Sequence, residues 1–162
     1  MSRFLWRSLG GLVMTLGLVG PLHAAEPKLE AGLIYRFVQF SQWPAREPWT
    51  YCVAGDELVQ QALQQLLGHT TEVRLIHTQV QAKPCHVLYL GREVTPDASW
   101  RPLLSNPQLL SIAANAELYQ LGTVFGLIQE PRQLAFRVNL SLARSQGYQL
   151  NARMLRLAKE IY

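Results

Sequence analysis

Carboxylates are scarce in this 162-residue chain, with 11 Asp and Glu against 15 Lys and Arg, and that shortage gives a formal charge of +4 and a pI near 9.3. The excess is not a nucleic-acid footprint. Arg3 and Arg7 account for two of the four net charges, and both lie in an N-terminal stretch that reads as an export leader. The remaining balance is that of an ordinary surface, which argues against DNA or RNA as a partner. Cysteine is nearly absent, at two residues, and neither Cys52 nor Cys85 has a second ligand at a recognised metal spacing. The histidines beyond the leader, His69, His77 and His86, are scattered singly, so no zinc or iron motif is present. There is no Gly-x-Ser-x-Gly elbow and no Ser-x-x-Lys pair. Gly55 follows a strand-like run but lacks the further glycines and lysine of a nucleotide loop. Asp56-Glu57 resembles a pair of acid–base carboxylates, yet its place at a helix start is better explained by capping and dipole complementation. These absences predict no catalytic residues, no metal, no cofactor and a protein that is not an enzyme.

Long apolar runs are also missing. Leu12–Val19 is the only candidate, and it falls short of the roughly 18–20 residues needed to span a bilayer. With Arg3 and Arg7 before it, Gly20-Pro21 breaking it and Ala24-Ala25 after it, residues 1–25 read as a cleaved secretory signal. Residues 26–162 are then the mature protein, large enough for one domain with its own core. Export places the two cysteines in an oxidising compartment. A Cys52–Cys85 disulfide is favoured there, with two buried free thiols acting as small hydrophobes as the competing arrangement.

The stretch Trp49–Leu67 organises the rest. An apolar run, Tyr51–Ala54, passes through Gly55-Asp56 into a segment where Leu58, Val59, Ala62, Leu63, Leu66 and Leu67 recur at helical spacing opposite glutamines. Asp56 is the expected N-cap and Gly68 the expected stop. A strand turning directly into a helix is half of a βαβ unit, and Cys85–Leu90 reads as a neighbouring strand that the disulfide would staple to it.

Lys28–Trp43 is expected to be an amphipathic helix, with Leu29, Leu33, Ile34, Phe37, Val38 and Phe40 buried, ended by Pro44. Its aromatics Tyr35, Phe37, Phe40 and Trp43 could line a ligand pocket, although rings at helical spacing more often form core. Further strands are expected at Glu72–Thr78, Leu109–Ala113, Val124–Ile128 and Leu134–Val138. Gln79–Pro84 is expected to be a linker, and short helices are expected at Trp100–Leu104, Asn115–Leu121 and Leu140–Gln146. Asn151 should cap a terminal helix whose buried stripe is Met154, Leu155, Ala158 and Ile161, leaving Arg153, Arg156 and Lys159 outside. The predicted fold is a single α/β domain with a mixed, mostly parallel sheet flanked by helices in a Rossmann-like three-layer arrangement.

Over nearly the whole of residues 26–162 the sequence resembles the YfiR-like periplasmic proteins. The resemblance is carried by the opening helix ending in Trp43-Pro44, Tyr51–Asp56, Cys85–Leu90, Leu110-Ser111-Ile112, Gly126, Phe136–Leu140 and Leu155–Ala158. It implies an exported, often dimeric repressor that binds the periplasmic sensor region of an inner-membrane diguanylate cyclase. It further implies that such a repressor lowers cyclic di-GMP signalling and biofilm formation until a stress signal or an outer-membrane lipoprotein relieves the restraint. Cys52 and Cys85 match one cysteine pair of the family. A second pair, found in some members, would fall in the region of Ala116–Phe125, where this chain has no cysteine. The resemblance maps the partner-facing surface onto Ser145, Gln146 and Tyr148 and onto the terminal segment bearing Arg153 and Arg156. The alternative is a periplasmic small-molecule-binding sensor module feeding another membrane signalling protein, for which the crevice at the strand ends of an open α/β sheet is the usual site.

Overall fold

The computed structural model describes residues 25–162, so the export leader expected over residues 1–25 lies almost wholly outside the described residues. In chain order the elements are α1 (Ala25–Gln39), β1 (Ser41–Gln42), β2 (Tyr51–Ala54), α2 (Glu57–Leu67), β3 (Val73–Ile76), β4 (Val87–Leu90) and α3 (Arg101–Leu104). They continue with β5 (Leu110–Ala113), α4 (Ala116–Tyr119), β6 (Phe125–Gln129), β7 (Leu134–Val138), α5 (Leu140–Ser145), β8 (Gln149–Leu150), α6 (Ala152–Leu155) and β9 (Glu160–Ile161). Seven strands form one sheet in the order β3-β2-β4-β5-β6-β7-β9, and β1 pairs separately with β8.

The first five sheet strands are mutually parallel, β6–β7 is an antiparallel hairpin, and β9 returns parallel to β7. Every residue of β2, β4 and β5 is buried. Such continuous burial requires both faces of the sheet to be covered, as in doubly wound α/β domains. On one face α1 lies with α2, and Phe37 of α1 stacks on Phe125 with ring centroids 4.2 Å apart and meets Phe136 edge-on at 5.0 Å. On the opposite face Tyr119 of α4 sits over Gly126, and the Arg137 guanidinium lies 5.4 Å from the centre of its ring. The expected fold class is therefore found.

The caps expected at Asp56, Asn115, Asn139 and Asn151 are all present. Their side chains accept from the backbone N–H groups of Val59, Leu118, Leu142 and Arg153 at 2.8–3.0 Å, which supplies partners for donors that a helix start leaves unpaired.

Three expectations need correction. The first helix ends at Gln39 and does not reach Trp43, because Ser41 and Gln42 leave it to pair with Leu150 and Gln149. Its buried stripe is Glu30, Ala31, Ile34, Phe37 and Val38, while Leu29 and Phe40 are 57% and 41% exposed. The C-terminal helix is a single turn, α6. The chain beyond it is drawn into the sheet by Lys159 N–H to Phe136 O at 2.9 Å and Tyr162 N–H to Val138 O at 3.0 Å. Ile161 is consequently 47% exposed and not part of a buried helical stripe. The expected linker also contains structure, a 3-10 turn over Gln79–Ala82 whose Ala82 is buried.

Candidate functional site

In open parallel sheets ligands sit beyond the carboxyl ends of the strands, where the strand order reverses. Here that point lies between β2 and β4, where the chain itself bridges the two strand ends, while a hollow of about 390 Å³ stays open beside it at the ends of β2 and β3, bordered by Ala54, Gly55, Ile76 and His77. Gly91 N–H bonds to Ala54 O at 2.7 Å, and Glu93 N–H bonds to Gly55 O at 3.2 Å. A Cβ on Gly91 would lie 2.6 Å from Ala54 O and 2.7 Å from Gly55 O, and one on Gly55 would meet Val94 at 2.8 Å. Only glycine at these positions lets the two backbones approach so closely.

Over this closure lies a buried ionic cluster. Glu30 projects from α1 and is completely buried. Its carboxylate accepts from the Tyr89 hydroxyl on the central strand β4 and pairs with the Arg92 guanidinium just beyond that strand. Arg92 also contacts Glu26 at 2.6 Å and Gln129 at 3.4 Å. Burial raises the Glu30 pKa above its ordinary value, against the opposing pull of the Tyr89 hydrogen bond and Arg92, while Asp56 and Glu26 add to the rise. The Tyr89 hydroxyl is driven up by burial first and by Glu30 next. The cluster ties α1 to the middle of the sheet, and it offers no nucleophile beside a base. Among the described residues no group of His, Cys, Asp or Glu side chains is arranged to hold a metal ion.

A second feature lies at the opposite, amino ends of β2 and β3. A groove of about 940 Å³ opens there between the ends of α1 and α2, and its lining includes Tyr35, Glu47, Trp49, Thr50, Tyr51 and Glu72. The Trp49 ring is stacked on Trp43 at 4.7 Å, and the Trp43 indole N–H is held by Gln108 O at 3.2 Å.

Cys52 and Cys85 are joined, with Cα atoms 5.9 Å apart, and the bond ties β2 to the chain entering its neighbour β4. The five residues assigned to partner contact separate into two groups. Ser145, Arg153 and Arg156 are exposed. Gln146 is half-buried and donates through its side-chain amide to Leu104 O at 3.1 Å. Tyr148 is a correction: it is 4% exposed, and its hydroxyl donates to Leu109 O at 2.5 Å, so its ring belongs to the core and presents no face to a partner. The same burial pushes its hydroxyl pKa well above the usual range.

Sequence reasoning missed Glu30, Tyr89 and Arg92. A signal existed in the phase of the first helix, since Glu30 precedes Ile34 by four residues and Phe37 by seven, on the stripe that is buried. Adding Leu29, Leu33 and Phe40 to Ile34, Phe37 and Val38 as the buried set rotated that stripe and hid the one carboxylate on it.

Strand order, closed switch point and all-buried central strands define a doubly wound α/β domain. Solved structures bear that out at the level of fold. An ABC domain in complex with L-Trp from Streptococcus pneumonia superimposes with a TM-score of 0.62 at 7% identity, over 84% of this chain and 60% of that one. A conserved domain protein from Vibrio cholerae O1 biovar eltor gives 0.53 at 12% identity with the same coverages, so this chain spans 60% of the length of either. More particularly, residues 27–159 match the YfiR/HmsC-like family, and the chain belongs to it. That family is periplasmic, regulatory in place of catalytic, and acts through a membrane signalling protein. No helix among the described residues is long and apolar enough to cross a membrane.

Proposed function

We propose that this protein is exported to the periplasm with loss of residues 1–25, and that it there binds the periplasmic sensor region of an inner-membrane diguanylate cyclase. By holding the cyclase inactive it lowers cyclic di-GMP and biofilm formation, and an outer-membrane lipoprotein that competes for it relieves the restraint. The observation that carries this reading is the family match across residues 27–159. It is supported by the seam between β2 and β4, which Gly91 and the Glu30 cluster close, so that the carboxyl ends keep a hollow of about 390 Å³ beside β3 in place of the usual crevice at the strand reversal. The repressor works as a rigid body whose surface does the work. On that surface the exposed Ser145, Arg153 and Arg156 are the contact residues, joined by Leu157, which is 75% exposed beside them.

Deleting the gene should raise cyclic di-GMP, and the wild-type chain supplied in trans should restore it. Affinity-tagged protein cross-linked in intact cells should recover an integral-membrane cyclase. Unchanged cyclic di-GMP in the deletion strain, with only soluble proteins recovered, would reject the reading.

A further inference from the structure

The groove at the amino ends of β2 and β3 is lined by acceptors and rings and by no basic residue. Its volume of about 940 Å³ lies within the roughly 300–1,000 Å³ typical of small-molecule sites. In a chain with 15 Lys and Arg, none of the lining residues is basic. Its two carboxylates differ in their surroundings. Glu72 is occupied, since Arg74 lies 2.5 Å from one oxygen and the Thr50 hydroxyl donates to the other at 3.2 Å. Glu47 is exposed and takes part in no ion pair among the described residues. Beside it are the rings of Tyr35, which is 38% exposed, and Tyr51, with Trp49 held in place by its stack on Trp43.

We propose that this groove binds a small organic cation, an ammonium or guanidinium carried on a flat apolar body. The charged head would neutralise Glu47, the one unmatched carboxylate, while the faces of Tyr35 and Trp49 offer the negative potential that attracts cations and the apolar area that takes a flat body. An anion of the same shape meets the unpaired Glu47 carboxylate, while the nearest base, Arg74, is already engaged by Glu72, so charge sign is the selective feature. The Tyr51 hydroxyl is consistent with that electrostatic setting. Burial first, then Tyr35 and Glu47, push its pKa to about 12, the direction produced when acidic groups converge without a cation. The inference stands apart from the repressor reading, because it concerns binding by the purified protein with no partner present.

The test is calorimetric titration of the protein, purified after export of the full chain, with tryptamine and with indole-3-acetate, which share a ring system and carry opposite charges. Tryptamine should bind saturably at one site and indole-3-acetate at least tenfold more weakly. Glu47→Gln and Tyr35→Ala alter exposed side chains and should each weaken tryptamine roughly two- to fivefold, the range of an exposed ion pair or cation–π contact. Glu117→Gln, on α4 across the sheet, should change nothing. Absence of saturable tryptamine binding, equal affinity for the two probes, or tryptamine affinity unmoved by both groove variants would overturn the proposal.

Discussion

Replacing Arg92 by Met should destabilise the protein at neutral pH far more than at acid pH. Arg92 provides the cationic partner of Glu30, a carboxylate with no exposure to water. Removing one partner of a buried pair costs about 3–5 kcal/mol, because a charge is left uncompensated in a poorly polarisable interior. The Arg92 side chain is 40% exposed, and solvent already screens part of its charge. The lower end, about 3 kcal/mol, is therefore the expected loss near pH 7.5. The pH dependence follows from the direction of the Glu30 shift. Its pKa in the folded protein lies above its unfolded value, so the folded state binds the proton more tightly. Stability linked to this group is fully present below the unfolded pKa and is lost as pH rises through the folded one. Without Arg92 the folded pKa rises further, which steepens that loss. Near pH 4, below the unfolded value of 4.5 and further below the raised folded one, Glu30 is mostly protonated, and Arg92→Met should cost only about 1 kcal/mol for the missing hydrogen bonds and stem packing.

Urea unfolding followed by tryptophan fluorescence at the two pH values measures the difference. The cycle with Glu30→Gln isolates its cause. In the Glu30→Gln background there is no buried charge to strand, so adding Arg92→Met should cost about 1 kcal/mol at both pH values, a coupling of about 2 kcal/mol at neutral pH. An Arg92→Met loss that is equal at both pH values, or equal in both backgrounds, would show that Arg92 acts through packing and that Glu30 is not charged in the native state.

Other consequences are simpler to check. Replacing Cys52 and Cys85 together by Ala opens a loop of 33 residues in sequence separation and should lower the stability measured in urea by about 3–4 kcal/mol on the chain-entropy account, with dithiothreitol producing a similar loss in the wild-type protein. Gly91→Ala forces a Cβ against two backbone carbonyls that cannot move aside and should cost about 1–3 kcal/mol. Gly32→Ala, in the body of α1 where nothing lies within 4 Å of the added methyl, should raise the melting temperature through a gain of about 0.5–1 kcal/mol. Arg153→Glu with Arg156→Glu should leave the melting temperature unchanged while raising cyclic di-GMP toward the level of the deletion strain. Normal repression by that double variant would remove the terminal segment from the partner surface.

Most of the architecture was legible in the sequence because its signals are local. Asp56, Asn115, Asn139 and Asn151 cap the helices they precede. The runs at Tyr51–Ala54, Val87–Leu90 and Leu110–Ala113 are apolar at every or nearly every position because the strands are covered on both faces. What escaped was set by pairing at a distance. Ser41-Gln42 looks like the tail of a helix until Gln149-Leu150 lies beside it, and Glu160-Ile161 looks like helix until β7 offers an edge. Neither choice can be read from nearby residues, since a two-residue strand carries no period of its own. Tyr148 failed for a related reason. The resemblance carried a surface onto the Ser145–Tyr148 stretch without saying which side chains face outward, and only the fold brings Leu109 O within reach of the Tyr148 hydroxyl.

The two ends of the parallel strands have been put to different uses, and the allocation bears on how such a domain could signal. At the carboxyl ends, where related architectures keep a crevice, Gly55 and Gly91 bring backbones into contact and Glu30 and Arg92 lock α1 across the seam. A ligand entering between β2 and β4 would have to break the backbone hydrogen bonds and strand a buried carboxylate, a cost comparable to a large share of the stability of a domain this size. At the amino ends the same helix contributes Tyr35 to an open groove whose occupation disturbs no ion pair except that of Glu72 with Arg74. Because α1 runs from the lock at Glu30 to the groove at Tyr35, barely more than one helical turn away, an occupant of the groove bears on the element the sheet holds most firmly. Loosening the lock by Arg92→Met should therefore lower the affinity of the groove at pH 7.5 and leave it intact near pH 4, where protonation of Glu30 restores the seating of α1. Tryptamine titrations of that variant at the two pH values, referred to wild type under the same conditions, measure this coupling, and a ratio that does not change with pH would show that the Glu30 cluster and the groove act independently.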